Sequence, residues 1–200
     1  MTYELLVALA AFALVSSITP GPNNLMLMAS GANFGFRRSI PHMLGIGIGF
    51  SLMVAMVGIG FSQIFNSYPL SHLILKILSV TYLLYLAYKI ATASIPTKQL
   101  GTKDDKAKPF TFFQAALFQW VNPKSWTMAL TATAVYAPSQ STQAIAVVTG
   151  VFGIINLPCI SAWAAMGLQL KQLLTSQRRL RAFNYTMATL LVASLYPVLI

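Results

Sequence analysis

Apolar residues run along this chain in long blocks instead of alternating with polar ones. Residues 5–36, 39–75, 125–170 and 182–200 contain no Asp, Glu, Lys or Arg. A helix needs about 20 apolar residues to cross a hydrocarbon core of about 30 Å. The second and third blocks exceed one crossing, and each is interrupted by turn chemistry. One interruption carries Gln63, Asn66, Ser67 and Pro69; the other reads Ala137-Pro138-Ser139-Gln140-Ser141-Thr142-Gln143. The apolar runs between them are continuous, which suits helices and not barrel strands. The pattern predicts spans over residues 3–19 with a continuation to 35, then 40–61, 68–93, 110–136, 144–167 and 182–200. The expected fold is all-α: a single polytopic membrane domain of six transmembrane helices.

Composition agrees. The chain of 200 residues is 56% hydrophobic and 8% charged, with a mean hydropathy of +0.69. Globular proteins carry about 25% charged residues, so most of this surface must face lipid. A cleaved leader is not expected, because the first basic residue is Arg37 and Glu4 is acidic.

Charge supplies an orientation. Most of the 13 Lys and Arg residues lie on alternate connections. Arg37 and Arg38 follow the first span. Lys89, Lys98, Lys103, Lys106 and Lys108 lie in or beside the third connection, and Lys171, Arg178, Arg179 and Arg181 follow the fifth span. The positive-inside rule puts these in the cytoplasm and both termini outside. The net charge of +10 is thereby explained by topology and by anionic lipid headgroups, so a nucleic-acid partner is not expected. The polar segment 94–109, with Asp104 and Asp105, reads as a cytoplasmic linker. It joins halves 1–93 and 110–200 of three helices each.

An odd number of crossings per half turns the second half over, and such inverted repeats place substrates between helices broken at corresponding positions. Two matching interruptions are present. The first span contains Thr19-Pro20-Gly21-Pro22-Asn23-Asn24 and the fourth contains Trp120-Val121-Asn122-Pro123-Lys124. Asn23 precedes Arg37 by the same interval as Asn122 follows Lys108. At 1.5 Å of rise per residue, each motif sits about 20 Å from the basic boundary, near mid-membrane. Proline lacks an N–H and clashes with the carbonyl four residues back. Pro20 and Pro22 therefore free the carbonyls of Ser16 and Ile18, and Pro123 frees that of Gln119. Such groups must face protein, water or a ligand. The half-helix starting near Asn23 would also offer N–H groups to a carboxylate. The expected substrate-binding residues are Pro20, Gly21, Pro22, Asn23, Asn24, Asn122, Pro123 and Lys124. Kinking alone accounts for Pro158 and Pro197.

Lys124 is the sharpest residue of this set. A lysine at mid-helix costs at least about 2.5–3.5 kcal/mol on insertion scales, and no carboxylate lies in the centre of any span. A substrate carboxylate, freed backbone carbonyls or an Asn side chain can each satisfy it, and a purely structural role is the alternative. Lys76 and His72 read as snorkelling residues at the outer end of the third span. His42 reads as an interface residue beside Arg37 and Arg38. Gly45 and Gly49 read as close helix packing.

The Thr19–Asn24 motif, Gly35-Phe36-Arg37-Arg38, the glycine-rich second span and Asn122-Pro123-Lys124 together resemble the LysE/RhtB family of bacterial amino-acid exporters. The similarity runs through essentially the whole chain. It implies efflux of amino acids or their derivatives across the cytoplasmic membrane, driven by the membrane's ion gradient, without cofactor. It leaves the substrate and the oligomeric state open, a homo-oligomer included. A carboxylate proton relay within the spans is unavailable to this sequence. An enzyme is not expected: paired intramembrane Asp, a His-Glu-x-x-His motif and a convincing Ser–His pair are missing. Cys159, alone, suits packing and not thiol exchange. The competing reading is a passive channel or a non-transporting membrane scaffold.

Overall fold

A computed structural model describes residues 1–61, 63, 67, 68, 70–93 and 108–196. The linker 94–107, Asn66 and Pro69 of the first polar turn, the side chain of His72, and Pro197 lie outside the described residues. The described chain is helical throughout: α1 (Tyr3–Ile18), α2 (Pro22–Phe34), α3 (Phe36–Gly58), α4 (Leu70–Ala91), α5 (Phe112–Phe118), a 3₁₀ turn (Gln119–Val121), α6 (Pro123–Tyr136), α7 (Thr142–Leu173) and α8 (Gln177–Ala193).

Local chemistry sets the boundaries. Thr2, Ser141 and Ser176 accept backbone N–H groups at the starts of α1, α7 and α8, satisfying donors that have no partner inside the helix. Thr111 and Gln114 form a reciprocal capping box on α5. Gly35 separates α2 from α3 at φ +86°, a conformation glycine adopts without penalty.

Three helices are long and apolar enough to cross a membrane, over Phe36–Gly58, Leu73–Ala91 and Thr142–Leu173. The pair α1 and α2, bent by 54°, makes a fourth when taken as one broken span. The expected fourth span is cut by the 3₁₀ turn into pieces too short to cross alone. Where the sixth span is expected over 182–200, α8 begins with the polar turn Gln177-Arg178-Arg179 and has 17 residues. Lipid-type faces are nonetheless plain: Ile154 is 77% exposed in the middle of α7 and Phe113 73% exposed on α5. Side chains this apolar, bare along helix after helix, call for a hydrocarbon solvent.

Glycines let the helices approach closely. A Cβ on Gly31 of α2 would collide with the Ala164 carbonyl of α7, and one on Gly167 of α7 with the Met28 carbonyl of α2. The α2–α7 seam is the most extensive among the described residues. Gly45 and Gly49 do the same for α3 against α5, where a Cβ on Gly49 would lie 2.6 Å from the Cα of Ala116. Helix packing was the expectation for that pair. His42 departs from expectation. It is fully buried, its ring 5.1 Å from that of Phe110, and neither ring nitrogen has a hydrogen-bond partner. The reason is helical phase: His42 shares the face of Ser39, Met43 and Ile46, all buried, so proximity to Arg38 in sequence does not place it at the surface.

Buried side chains form three clusters. One joins α1, α3, α6 and α7 around Phe50 and Phe152; one joins α2, α4 and α8 around Phe118 and Leu86; a smaller one surrounds Ile46 and Ala164. The two helix breaks meet between them.

Candidate functional site

The first break follows from proline chemistry. After Ile18 the chain is extended at Thr19 and Gly21, and Pro22 occupies the first turn of α2, where a missing N–H does no harm. The loosened carbonyls find partners inside the protein. Ser16 O accepts from Thr19 Oγ1 at 3.0 Å, and Ile18 O accepts from the Trp163 indole N–H at 3.0 Å. Asn24 Nδ2 donates to Ser17 O and Thr19 O, both at 2.8 Å. The carbonyls of Ser16 and Ile18, expected to face a ligand, are therefore already engaged. Trp163, far away in sequence, supplies a donor that local reasoning omits.

The second break is built differently. The 3₁₀ turn tightens the chain after α5, and Asn122, in extended conformation, caps α6 by accepting the N–H of Lys124 at 3.2 Å. Pro123 takes the first helical position. Both α2 and α6 thus begin at the same place, and their N-terminal partial charges converge there.

Side chains tie the breaks together. Lys124 Nζ donates to Thr19 O at 2.7 Å and to Thr19 Oγ1 at 2.9 Å, with Pro20 O at 3.4 Å. Of the three ways to satisfy this lysine, backbone carbonyls are the one observed. Gly21 makes room for it: a Cβ there would sit 2.7 Å from Lys124 Cδ. Asn23 and Gln119 exchange hydrogen bonds at 2.8 and 3.2 Å. Gln119 also donates to Ala115 O at 2.9 Å and accepts from Ser125 Oγ at 2.8 Å. Every polar atom of its amide is used, which is what burial at 0% exposure demands.

A cleft opens beside these contacts. Gly21, Asn23, Asn24, Asn122 and Lys124 line it; Pro20, Pro22 and Pro123 shape its backbone without lining it. Ser16, Ser17, Ser125 and Asn156 add polar wall, and Phe50, Met128 and Ile160 close it with apolar surface. Ser17 Oγ is buried without a hydrogen-bond partner. A hydroxyl left in that state is disfavoured unless something else binds it. The free volume is about 20 Å³, on the scale of one water. Among the described residues the sole carboxylate is that of Glu4, on the exposed first turn of α1. The cleft is thus positively charged and rich in amides and hydroxyls, a chemistry suited to a small carboxylate-bearing solute.

Gln119, Ser125 and Asn156 were not singled out from sequence. A signal existed for two of them: Gln119 follows the apolar stretch Ala115–Phe118, and Asn156 interrupts an otherwise apolar stretch of α7. The Asn23–Gln119 bridge yields to a double-mutant cycle. Alanine at either position, and at both, should reveal a coupling of about 1 kcal/mol in unfolding free energy, in the range for contacting polar groups. Additive losses would mean the two breaks are held together by other contacts.

Relatives agree on what kind of protein this is. The family model described as LysE type translocator matches residues 14–194. The cysteine/O-acetylserine efflux protein of Escherichia coli (strain K12) is 34% identical over 199 residues, covering 96% of this chain and 96% of its own length. The protein of the same name from Shigella sonnei (strain Ss046) matches to the same extent. No solved structure matches. Broken apolar helices, a cation between the breaks and these similarities converge: the chain belongs to the LysE type translocator family, multi-pass membrane transporters and not enzymes.

Proposed function

We propose that this protein exports small amino acids with uncharged side chains, of the cysteine or O-acetylserine type, across the bacterial inner membrane by secondary-active alternating access. The observation that carries this is the Lys124 ammonium, held only by backbone and hydroxyl oxygens at the junction of two helix breaks. A substrate carboxylate is a stronger partner for an ammonium than a neutral carbonyl is. It takes the place of Thr19 on Lys124, while Ser17 Oγ and the amides of Asn23 and Asn122 orient the rest of the molecule. The substrate ammonium meets the carbonyl side of the first break. No carboxylate lines the cleft to receive a cationic side chain, so lysine and arginine are poor substrates.

The transport machinery on this reading is six spans in two inverted halves, with both termini outside. Contacts between helices support it. Counterpart helices pack on each other, α3 on α7 and α4 on α8, and the α1–α7 contact has its match in α5 on α3. The cleft is too small for an amino acid as it stands, which fits a closed state that must widen to load.

Purified protein in vesicles with an imposed pH gradient tests the proposal. Labelled O-acetylserine should accumulate above equilibrium and lysine should not. Equilibration alone identifies a passive channel, and no flux at all a scaffold.

A further inference from the structure

A second pocket, mostly apolar with two lysines on its wall and about 50 Å³ in volume, lies between α2, α4 and the residues leading into α5. We infer that it is a loading vestibule at the basic end of the protein, where Lys89 and Lys108 capture the carboxylate of the exported amino acid before it reaches the cleft. This rests on the exporter reading. The wall contributed by α2 is one face of that helix, Met26, Ala29, Ser30 and Asn33 at successive helical turns. Asn23 lies at the start of the same helix, about one turn before Met26 and about 15 Å before Asn33 at 1.5 Å per residue. One helix therefore joins the two pockets, and Met26, packed in the cluster of Phe118 and Leu86, separates them.

The vestibule is organised for an anion. Lys89 Nζ lies 5.6 Å from the centroids of both the Tyr85 and Phe110 rings. Ring faces attract an ammonium weakly compared with a carboxylate. Lys108 lines the same space. Beside them, Asn33 and Asn184 exchange hydrogen bonds at 2.9 and 3.3 Å, and Asn184 donates to Ala93 O at 2.9 Å. This second amide pair fixes the end of α2 against α8, as Asn23 and Gln119 fix its beginning. The apolar remainder, from Met26, Ile90 and Phe110, accepts an uncharged side chain. A lipid phosphate shares the anion chemistry, and the experiment must separate the two.

The full-length protein is reconstituted in vesicles of phosphatidylcholine alone or mixed with phosphatidylglycerol, and O-acetylserine is supplied to the basic face. Lys89→Gln and Lys108→Gln should each raise KM by about fivefold, as for a partly exposed ion pair. Expected kcat stays within about twofold, in both lipids, and Lys89→Arg restores KM. In parallel, O-acetylserine should slow acylation of Lys89 and Lys108 by an amine-reactive reagent in the Lys124→Gln protein, while its methyl ester should not. Unchanged KM and no protection overturn the vestibule. An effect confined to phosphatidylglycerol vesicles also overturns it and assigns the lysines to headgroups. Protection in the Lys124→Gln protein together with a wild type that shows no transport keeps the vestibule and defeats the exporter reading instead.

Discussion

Lys124→Gln should reduce efflux by about 10- to 100-fold, the effect of losing charge-assisted hydrogen bonds of about 1.5–3 kcal/mol at a transport site. The protein should still fold. Glutamine is close to the stem length of lysine, removes the charge and relieves the insertion cost expected of a lysine inside a span. Retained assembly, read as a single symmetric peak in detergent chromatography, separates a binding role from a structural one. Lys124→Arg should not rescue fully: its planar head is bulkier, and the lysine stem already passes where a Cβ of Gly21 would lie, 2.7 Å from Lys124 Cδ. Flux at the wild-type level in the glutamine protein would remove Lys124 from the mechanism.

Gly167→Val is expected to be worse for the protein as a whole. Its side chain would enter the Met28 carbonyl of α2, with the Ala32 N–H 3.0 Å from the new Cβ. Backbone cannot swing aside as a side chain does, so the helices must separate. Overpacking of this kind costs about 3 kcal/mol, a large share of a typical stability of about 5–15 kcal/mol. Gly31→Val should behave alike, since it opposes Ala164 and Leu168 across the same seam. The measurements are yield, thermal midpoint in detergent, and transport, and all three should fall together. Normal yield and midpoint with either valine would show that α2 and α7 do not meet so closely in the membrane.

Features set by covalent chemistry were readable in the chain. The two breaks are there because proline withholds an N–H and obstructs a carbonyl, and the position of each followed from Pro20, Pro22 and Pro123 alone. That Lys124 must find oxygen partners followed from the cost of a charge inside an apolar span. Features set by tertiary pairing were not readable. Asn23 bonds to Gln119 across 96 positions, and nothing local in either names the other. Trp163 reaching Ile18 O is the same case across 145 positions. Gly31 and Gly167 carry no local signal, because a glycine reports the need for space without saying what fills it. His42 was misjudged because its neighbours in sequence are arginines, while its neighbours on the helix face are buried. Helix length alone does not reach the expected span count, because the second break divides one apolar run into α5, a tight turn and α6, each short.

The hold of Lys124 on Thr19 bears on the half of the cycle in which nothing is carried. A cation stranded in the bilayer without company would anchor the unloaded protein in one orientation until another solute arrived. Here the chain lends its own oxygens as placeholders, so in the proposed alternating-access cycle the vacated site would stay compensated on the return. On the gradient-driven reading proposed above only the coupling ion need return, so such a carrier could empty the cell without bringing another amino acid back.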